Sequence, residues 1–274
     1  MLIAQPILPG AAKAILTLDN GETINLNKET ADALQTIEGT NIQIDSTTLN
    51  YQLAQSTSVS PKPVYNKVEI PRGGEYALVL SDGTKVHLNS MSSLRFPVAF
   101  TTGKREVELQ GEAYFEVSKT GQPFIVNANG IQVEVLGTTF NISAYPDEEY
   151  QTTLVNGSVK VSAEKGESLI LKPSQQATIA LGSNSIQVRT VDTSFYTSWV
   201  KGKINFKDQR LEDIMKTLSR WYDMNVVYEN EKLKNIRFGC NLNRYEEITP
   251  FVKLLEKTEE VHVKIEDNTI TFHN

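Results

Sequence analysis

A run of short alternating segments, starting at Pro71 and carrying through Val161, constrains this chain more than any other feature. It reads PRGGEYALVLSDGTKVHLNSMSSLRFP, then REVELQGEAYFEVSKTGQPFIV, then VEVLGTTFNISAY and TTLVNGSVKV. Apolar and polar residues alternate with the period of two that turns one strand face to a core and the other to solvent. Glycine, Asp-Gly or Asn-Gly closes each phrase, as tight hairpin turns require. The phrases predict an all-β architecture. None of them carries a nucleophile, a general base or a metal-ligand spacing.

One internal repeat stands out. Leu16 to Asn27 (LTLDNGETINLN) matches Leu78 to Asn89 (LVLSDGTKVHLN) at a constant offset. In each copy an alternating strand meets a glycine turn, at Gly21 or Gly83, and returns as a second strand. Two copies suggest duplication but fall short of the three or more repeats of a solenoid. Between them, Ser46 to Lys67 is rich in polar residues and contains Pro61 and Pro63, which predicts a surface connection. From Val68 to Val191 strand and turn signals recur without an amphipathic helix, the pattern of an all-β sandwich, barrel or coil.

The pattern changes after Trp199. In Leu211 to Tyr222 the apolar residues Leu211, Ile214, Met215, Leu218, Trp221 and Tyr222 fall on one helical face. Asp208 is the expected N-cap, with Glu212 and Asp213 complementing the positive end of the helix dipole. A second helix is expected to start with Thr249 as cap and Pro250 as its first residue. Strands are expected at Lys203–Phe206, Asn225–Tyr228, Arg237–Leu242, Val261–Glu266 and Thr269–His273. The order β-α-β-β-α-β-β describes a small α+β domain, with two helices on one face of a sheet. The expected division is residues 1–195, all β, and 196–274, α+β.

Hydrophobic residues make up 39% of the chain and charged residues 22%, so a core can form without staples. The net charge of −6 argues against a nucleic-acid partner, which calls for a basic face. Residues 1–198 hold 14 Lys and Arg against 20 Asp and Glu, whereas residues 199–274 hold 13 of each, with no polybasic stretch. The single cysteine, Cys240, excludes an internal disulfide and reads as a small strand residue. No segment approaches the roughly 20 apolar residues of a membrane span. Met1 to Pro6 lacks the basic and apolar regions of a signal peptide.

Candidate chemistry is sparse. His87, His262 and His273 are far apart in sequence and read as solvent-facing strand residues. Glu112 and Glu116 share a strand face and are the one carboxylate pair a glycosidase could use, though such pairs ordinarily face solvent. Asp147-Glu148-Glu149 lacks the spaced ligands of a calcium loop. Trp199, Trp221 and Tyr222 suit either a partner hot spot or a core, and Tyr114, Phe115, Phe124 and Phe140 read as β core. No catalytic residue, metal site or cofactor site is assigned.

In order and wording, five phrases resemble the periplasmic region of FecR-type anti-sigma factors: Asp82–Pro97, Gly111–Val117, Pro123–Val126, Val135–Tyr145 and Thr152–Val161. The trailing segment, with Trp199, Phe206, Leu211 and Ser219-Arg220-Trp221-Tyr222, resembles the small C-terminal domain of such regulators. That domain is similar to the short signalling domain at the N-termini of secretins and TonB-dependent transporters. The resemblance implies a mainly β fold, an all-β sandwich or solenoid-like FecR domain followed by the β-α-β-β-α-β-β domain, and no enzymatic activity. It also implies a cytoplasmic region that holds an extracytoplasmic-function (ECF) sigma factor and one membrane helix, both outside this sequence. The chain is then expected to be the periplasmic sensor part of an inner-membrane protein. Its expected partner is the periplasmic signalling domain of an outer-membrane TonB-dependent transporter. Substrate loading of the transporter would alter the contact, and cleavage or rearrangement of the regulator would free the sigma factor. Docking by strand addition is expected at the last strand, Ile270, Thr271 and Phe272. A carbohydrate-binding or cell-surface β module is the alternative, and it requires an exposed aromatic platform.

Overall fold

The computed structural model describes residues 6–27, 34–37, 40–53, 63–101, 103–164 and 166–274. They form two compact units, Ala12–Thr193 and a second that joins the start of the chain, through Ala11, to Ser194–Asn274.

The first unit is a β-sandwich whose two layers share one twelve-residue strand, Arg105–Glu116. Its first half pairs with Ser93–Pro97 and, in parallel, with Phe124–Ala128. Its second half pairs with Lys85–Leu88 and Thr139–Ala144. Gly111 makes the change of layer, at φ +85°, and a Cβ there would lie 2.5 Å from Ser92 Oγ and 2.7 Å from Ser92 Cα. Only glycine meets both demands.

Beyond that strand, successive hairpins alternate between the layers. Phe124–Ala128 with Ile131–Val135 and Val159–Ser162 with Ser168–Leu171 extend the first layer. Thr139–Ala144 with Tyr150–Asn156 and Gln175–Ile179 with Gln187–Thr190 extend the second. Alternate side chains from both layers enter one apolar cluster, each large one contributing about 1.5–3 kcal/mol on burial. The expected sandwich-like all-β architecture is what forms.

The repeated segments are both hairpins, but they lie in different layers. Ala14–Thr17 with Thr23–Leu26 joins the first layer through Tyr65–Glu69, and Gly74–Val79 with Lys85–Leu88 belongs to the second. Their turns are alike: Gly21 and Gly83 have φ of +84° and +82°, and the preceding Asn20 and Asp82 side chains accept from the amides of Glu22 and Thr84 at 2.9 Å. The expected surface connection over Ser46–Lys67 requires correction at both ends. Thr48–Leu53 pairs in parallel with Gly74–Val79, and Tyr65 to Lys67 lie in a sheet strand. The buried Leu49 and Tyr51 explain why: they fill the core between the layers. Pro61 lies outside the described residues.

In the second unit a short helix, Ser194–Thr197, precedes the two longer ones, Leu211–Tyr222 and Thr249–Glu256. Every apolar residue expected on the helical face of Leu211–Tyr222 is buried. The cap differs from expectation. Asp208 has φ +49° in a bulge of the preceding strand, Lys203–Arg210, and its carboxylate accepts from Arg237 Nε at 2.8 Å. Arg210 occupies the cap position, and the Leu211 amide donates to Ile236 O instead at 2.7 Å. In the helix Thr249–Glu256 the cap is Ile248, not Thr249. The strands form two sheets rather than one: Lys203–Arg210 with Arg237–Asn243, and a three-stranded sheet with Thr269–His273 between Asn225–Tyr228 and His262–Glu266. Both longer helices bury their apolar faces in one cluster that includes inward residues of each sheet.

Candidate functional site

The five sequence phrases meet one another inside the β unit. Asn89 and Asn141 donate to the two carboxylate oxygens of Glu112 at 2.6 and 2.9 Å. Tyr145 donates to Ser90 O at 2.9 Å, and Thr138 Oγ1 to Ser158 O at 2.9 Å. Phe115 stacks on Phe140 with ring centroids 5.0 Å apart and lies 6.1 Å from Phe124. Residues from all five phrases therefore hold the two layers in register, which is a scaffold role.

This geometry assigns Glu112 a structural task. Glu116, four residues on, lies about 13 Å away along the strand at roughly 3.3 Å per residue. Glycosidase carboxyl groups stand about 5–9.5 Å apart. His87 packs edge-on to Tyr114 with centroids 6.3 Å apart. Burial lowers its pKa, while Glu116 and Glu75 oppose that shift. His262 and His273 face each other across two strands at 5.6 Å. Among the described residues no group of three or more His, Cys, Asp or Glu side chains could hold a metal ion. Burial pushes the Cys240 thiol up to about 11, so it is a neutral thiol at physiological pH.

Two arginines that the sequence reading missed organise the two units. Arg105 is 1% exposed and pairs at 2.6 Å with Asp82, which is 7% exposed. Its guanidinium also donates to Ser118 O at 2.8 Å and Gln122 O at 2.6 Å. Asp82 in turn accepts from Thr84 N and Oγ1 at 2.9 and 2.7 Å. The pair thus ties the Asp-Gly turn of the second repeat to the loop after the shared strand. In the second unit Arg244 is buried with its guanidinium 3.7 Å from the Trp221 ring and 5.4 Å from the Trp199 ring. Trp221 Nε1 donates to Arg244 O at 2.6 Å, and Tyr222 donates to Glu246 O at 2.8 Å. Trp199, Trp221 and Tyr222 are therefore core residues.

The strand expected to accept a partner is not an edge of its sheet. Ile270, Thr271 and Phe272 sit in the central strand of their sheet, hydrogen-bonded to Asn225–Tyr228 on one side and His262–Glu266 on the other. Ile270 and Phe272 are fully buried. No backbone edge is free there for strand addition. Open edges in this unit, among the described residues, include the outer side of Arg237–Asn243, whose inward Phe238, Cys240 and Leu242 are only half-buried. The exposed large hydrophobic residues among those described include a single aromatic, Tyr245. No helix among the described residues is long and apolar enough to cross a membrane.

Comparison with known proteins agrees with this arrangement. The profile of the family described as FecR protein matches residues 66–160, and that described as FecR, C-terminal matches residues 203–272. Together they span more than half of the chain. Two crystal structures of a candidate anti-sigma factor from Parabacteroides distasonis ATCC 8503, at 1.65 and 2.50 Å, each align with a TM-score of 0.70. The first is 26% identical over 76% of this chain and 98% of that one; the second is 25% identical over 77% and 99%. No curated protein matches by sequence. A β unit built on the FecR phrases, followed by the matching C-terminal unit, places this chain in the FecR family of anti-sigma regulators, to which it belongs.

Proposed function

We propose that this chain is the periplasmic sensor part of a membrane-anchored anti-sigma regulator. It receives its signal by contact with the periplasmic signalling domain of an outer-membrane TonB-dependent transporter. It thereby controls release of an ECF sigma factor held by a cytoplasmic region. The observation that carries this reading is the pairing, in one chain, of a FecR β unit with the family's C-terminal unit. The polar clusters of the β unit serve its own packing, which favours a recognition role for the C-terminal unit.

Within that unit the outer edge of Arg237–Asn243 suits strand addition better than that of His262–Glu266. It is seven residues long, and a partner strand would finish covering Phe238, Cys240 and Leu242. His262–Glu266 is shorter and carries an exposed Lys264–Glu266 pair, the kind of charge that protects an edge. The test is a binding assay with the periplasmic signalling domains of TonB-dependent transporters from the same genome. The double substitution Asn241→Asp and Asn243→Asp, on the exposed face of the edge, is expected to weaken binding by about tenfold, or about 1.4 kcal/mol. Unchanged affinity would exclude this edge as the docking strand.

A further inference from the structure

The start of the described chain is built into the unit at its far end. Ile7 is 4% exposed and belongs to the apolar cluster of the C-terminal unit, whereas the flanking Pro6 and Leu8 are exposed. The Ile7 carbonyl accepts from the amide of Ile248 at 3.3 Å. Ile248 is itself buried and caps the helix Thr249–Glu256 without a side-chain hydrogen bond. The first amides of a helix have no partner within it, and a buried one left unpaired is costly. Ile7 therefore supplies an apolar side chain and an acceptor at the same point.

The local sequence suits the task. Pro6-Ile7-Leu8-Pro9 places prolines on both sides of the buried residue. Each fixes φ and removes a donor, which favours an extended, stiff segment that loses little freedom on docking and does not join a sheet ladder. Gly10 follows, and from Ala12 the chain belongs to the β unit.

We propose that Pro6–Gly10 is a strap, an intramolecular ligand of the C-terminal unit, with Ile7 seated in a socket at the start of the helix Thr249–Glu256. Chain entering the β unit is thus held by the unit that lies at the other end of the sequence. Under the receptor reading, on which this consequence alone rests, a partner that reshapes the helix start loosens the strap and so acts on the chain preceding it. Occupancy of the socket and stability of the unit are reciprocally linked.

The strap can be tested without any partner, because both tryptophans, Trp199 and Trp221, lie in the C-terminal unit. Ile7→Ala removes most of the buried side chain, Ile7→Asp places a charge in the socket, and Leu8→Asp is the exposed control. Both Ile7 variants are expected to lower the urea midpoint seen by tryptophan fluorescence. Both should also speed hydrogen exchange of the Ile248 amide by about tenfold or more. Leu8→Asp should leave both readouts at wild-type values. Should Ile7→Asp prevent folding of the unit, the milder Ile7→Ala still gives both. Unchanged Ile248 protection and an unchanged fluorescence midpoint in Ile7→Ala would overturn the strap.

Discussion

Replacing Arg105 by alanine is expected to destabilise the β unit by about 3–5 kcal/mol, the cost of leaving one member of a buried ion pair without the other. Arg105 and Asp82 are both buried, and the guanidinium donates to three backbone carbonyls, those of Ser118, Gln122 and Leu136, besides the carboxylate. The substitution therefore strands the Asp82 charge and frees the loop of Ser118 and Gln122 together. Urea unfolding followed by far-UV circular dichroism, which the strands dominate, would show the loss. The transition seen by tryptophan fluorescence belongs to the other unit and should keep its midpoint. The double variant Arg105→Met with Asp82→Asn should recover most of the stability, since an apolar side chain can replace a buried pair at little net cost. If the single and double variants were equally unstable, the loop contacts rather than the stranded charge would be the source.

Trp221→Ala is expected to cost the C-terminal unit a further large amount, about 3–5 kcal/mol, by leaving a cavity where a fully packed aromatic stood. The ring lies against the Arg244 guanidinium and its Nε1 bonds to Arg244 O, so one truncation removes packing, a cation–π contact and a hydrogen bond. Trp221→Phe keeps much of the packing and should cost markedly less. Trp199 remains as the fluorophore in both variants. A similar midpoint for Trp221→Ala and wild type would mean that the Arg244 stack does not organise this unit.

Much of this architecture was legible in the residues. The helix Leu211–Tyr222 declared itself because an apolar stripe with period 3.6 can only be buried by a helix. The hairpins declared themselves through Gly21 and Gly83, whose positive φ the sequence context demands. Which layer each hairpin joins was not legible, because local pattern fixes the parity of a strand and not its neighbours. The same limit hid the place of Ile270–Phe272. A final strand reads as an edge until its parallel pairing with Asn225–Tyr228 puts it in the middle.

The buried arginines carried a signal that was available and passed over. Arg105 keeps step with Val107 and Leu109, the inward residues of its strand, and Arg244 continues the inward series Phe238, Cys240, Leu242. A charged residue in phase with the core face is a candidate buried pair or stack. Ile7 gave no such sign, since its backbone partner, Ile248, lies 241 positions further along the chain. Asp208 had the right chemistry for a helix cap but is drawn off by Arg237, a partner no local window contains.

The most direct test of the receptor reading is a calorimetric titration of this chain with the isolated periplasmic signalling domains of TonB-dependent transporters from the same genome. The account predicts saturable 1:1 binding near the micromolar range, about −8 kcal/mol, weakened by the Asn241→Asp and Asn243→Asp substitutions. Absence of heat across a wide concentration range, with both units folded by circular dichroism and fluorescence, would contradict it.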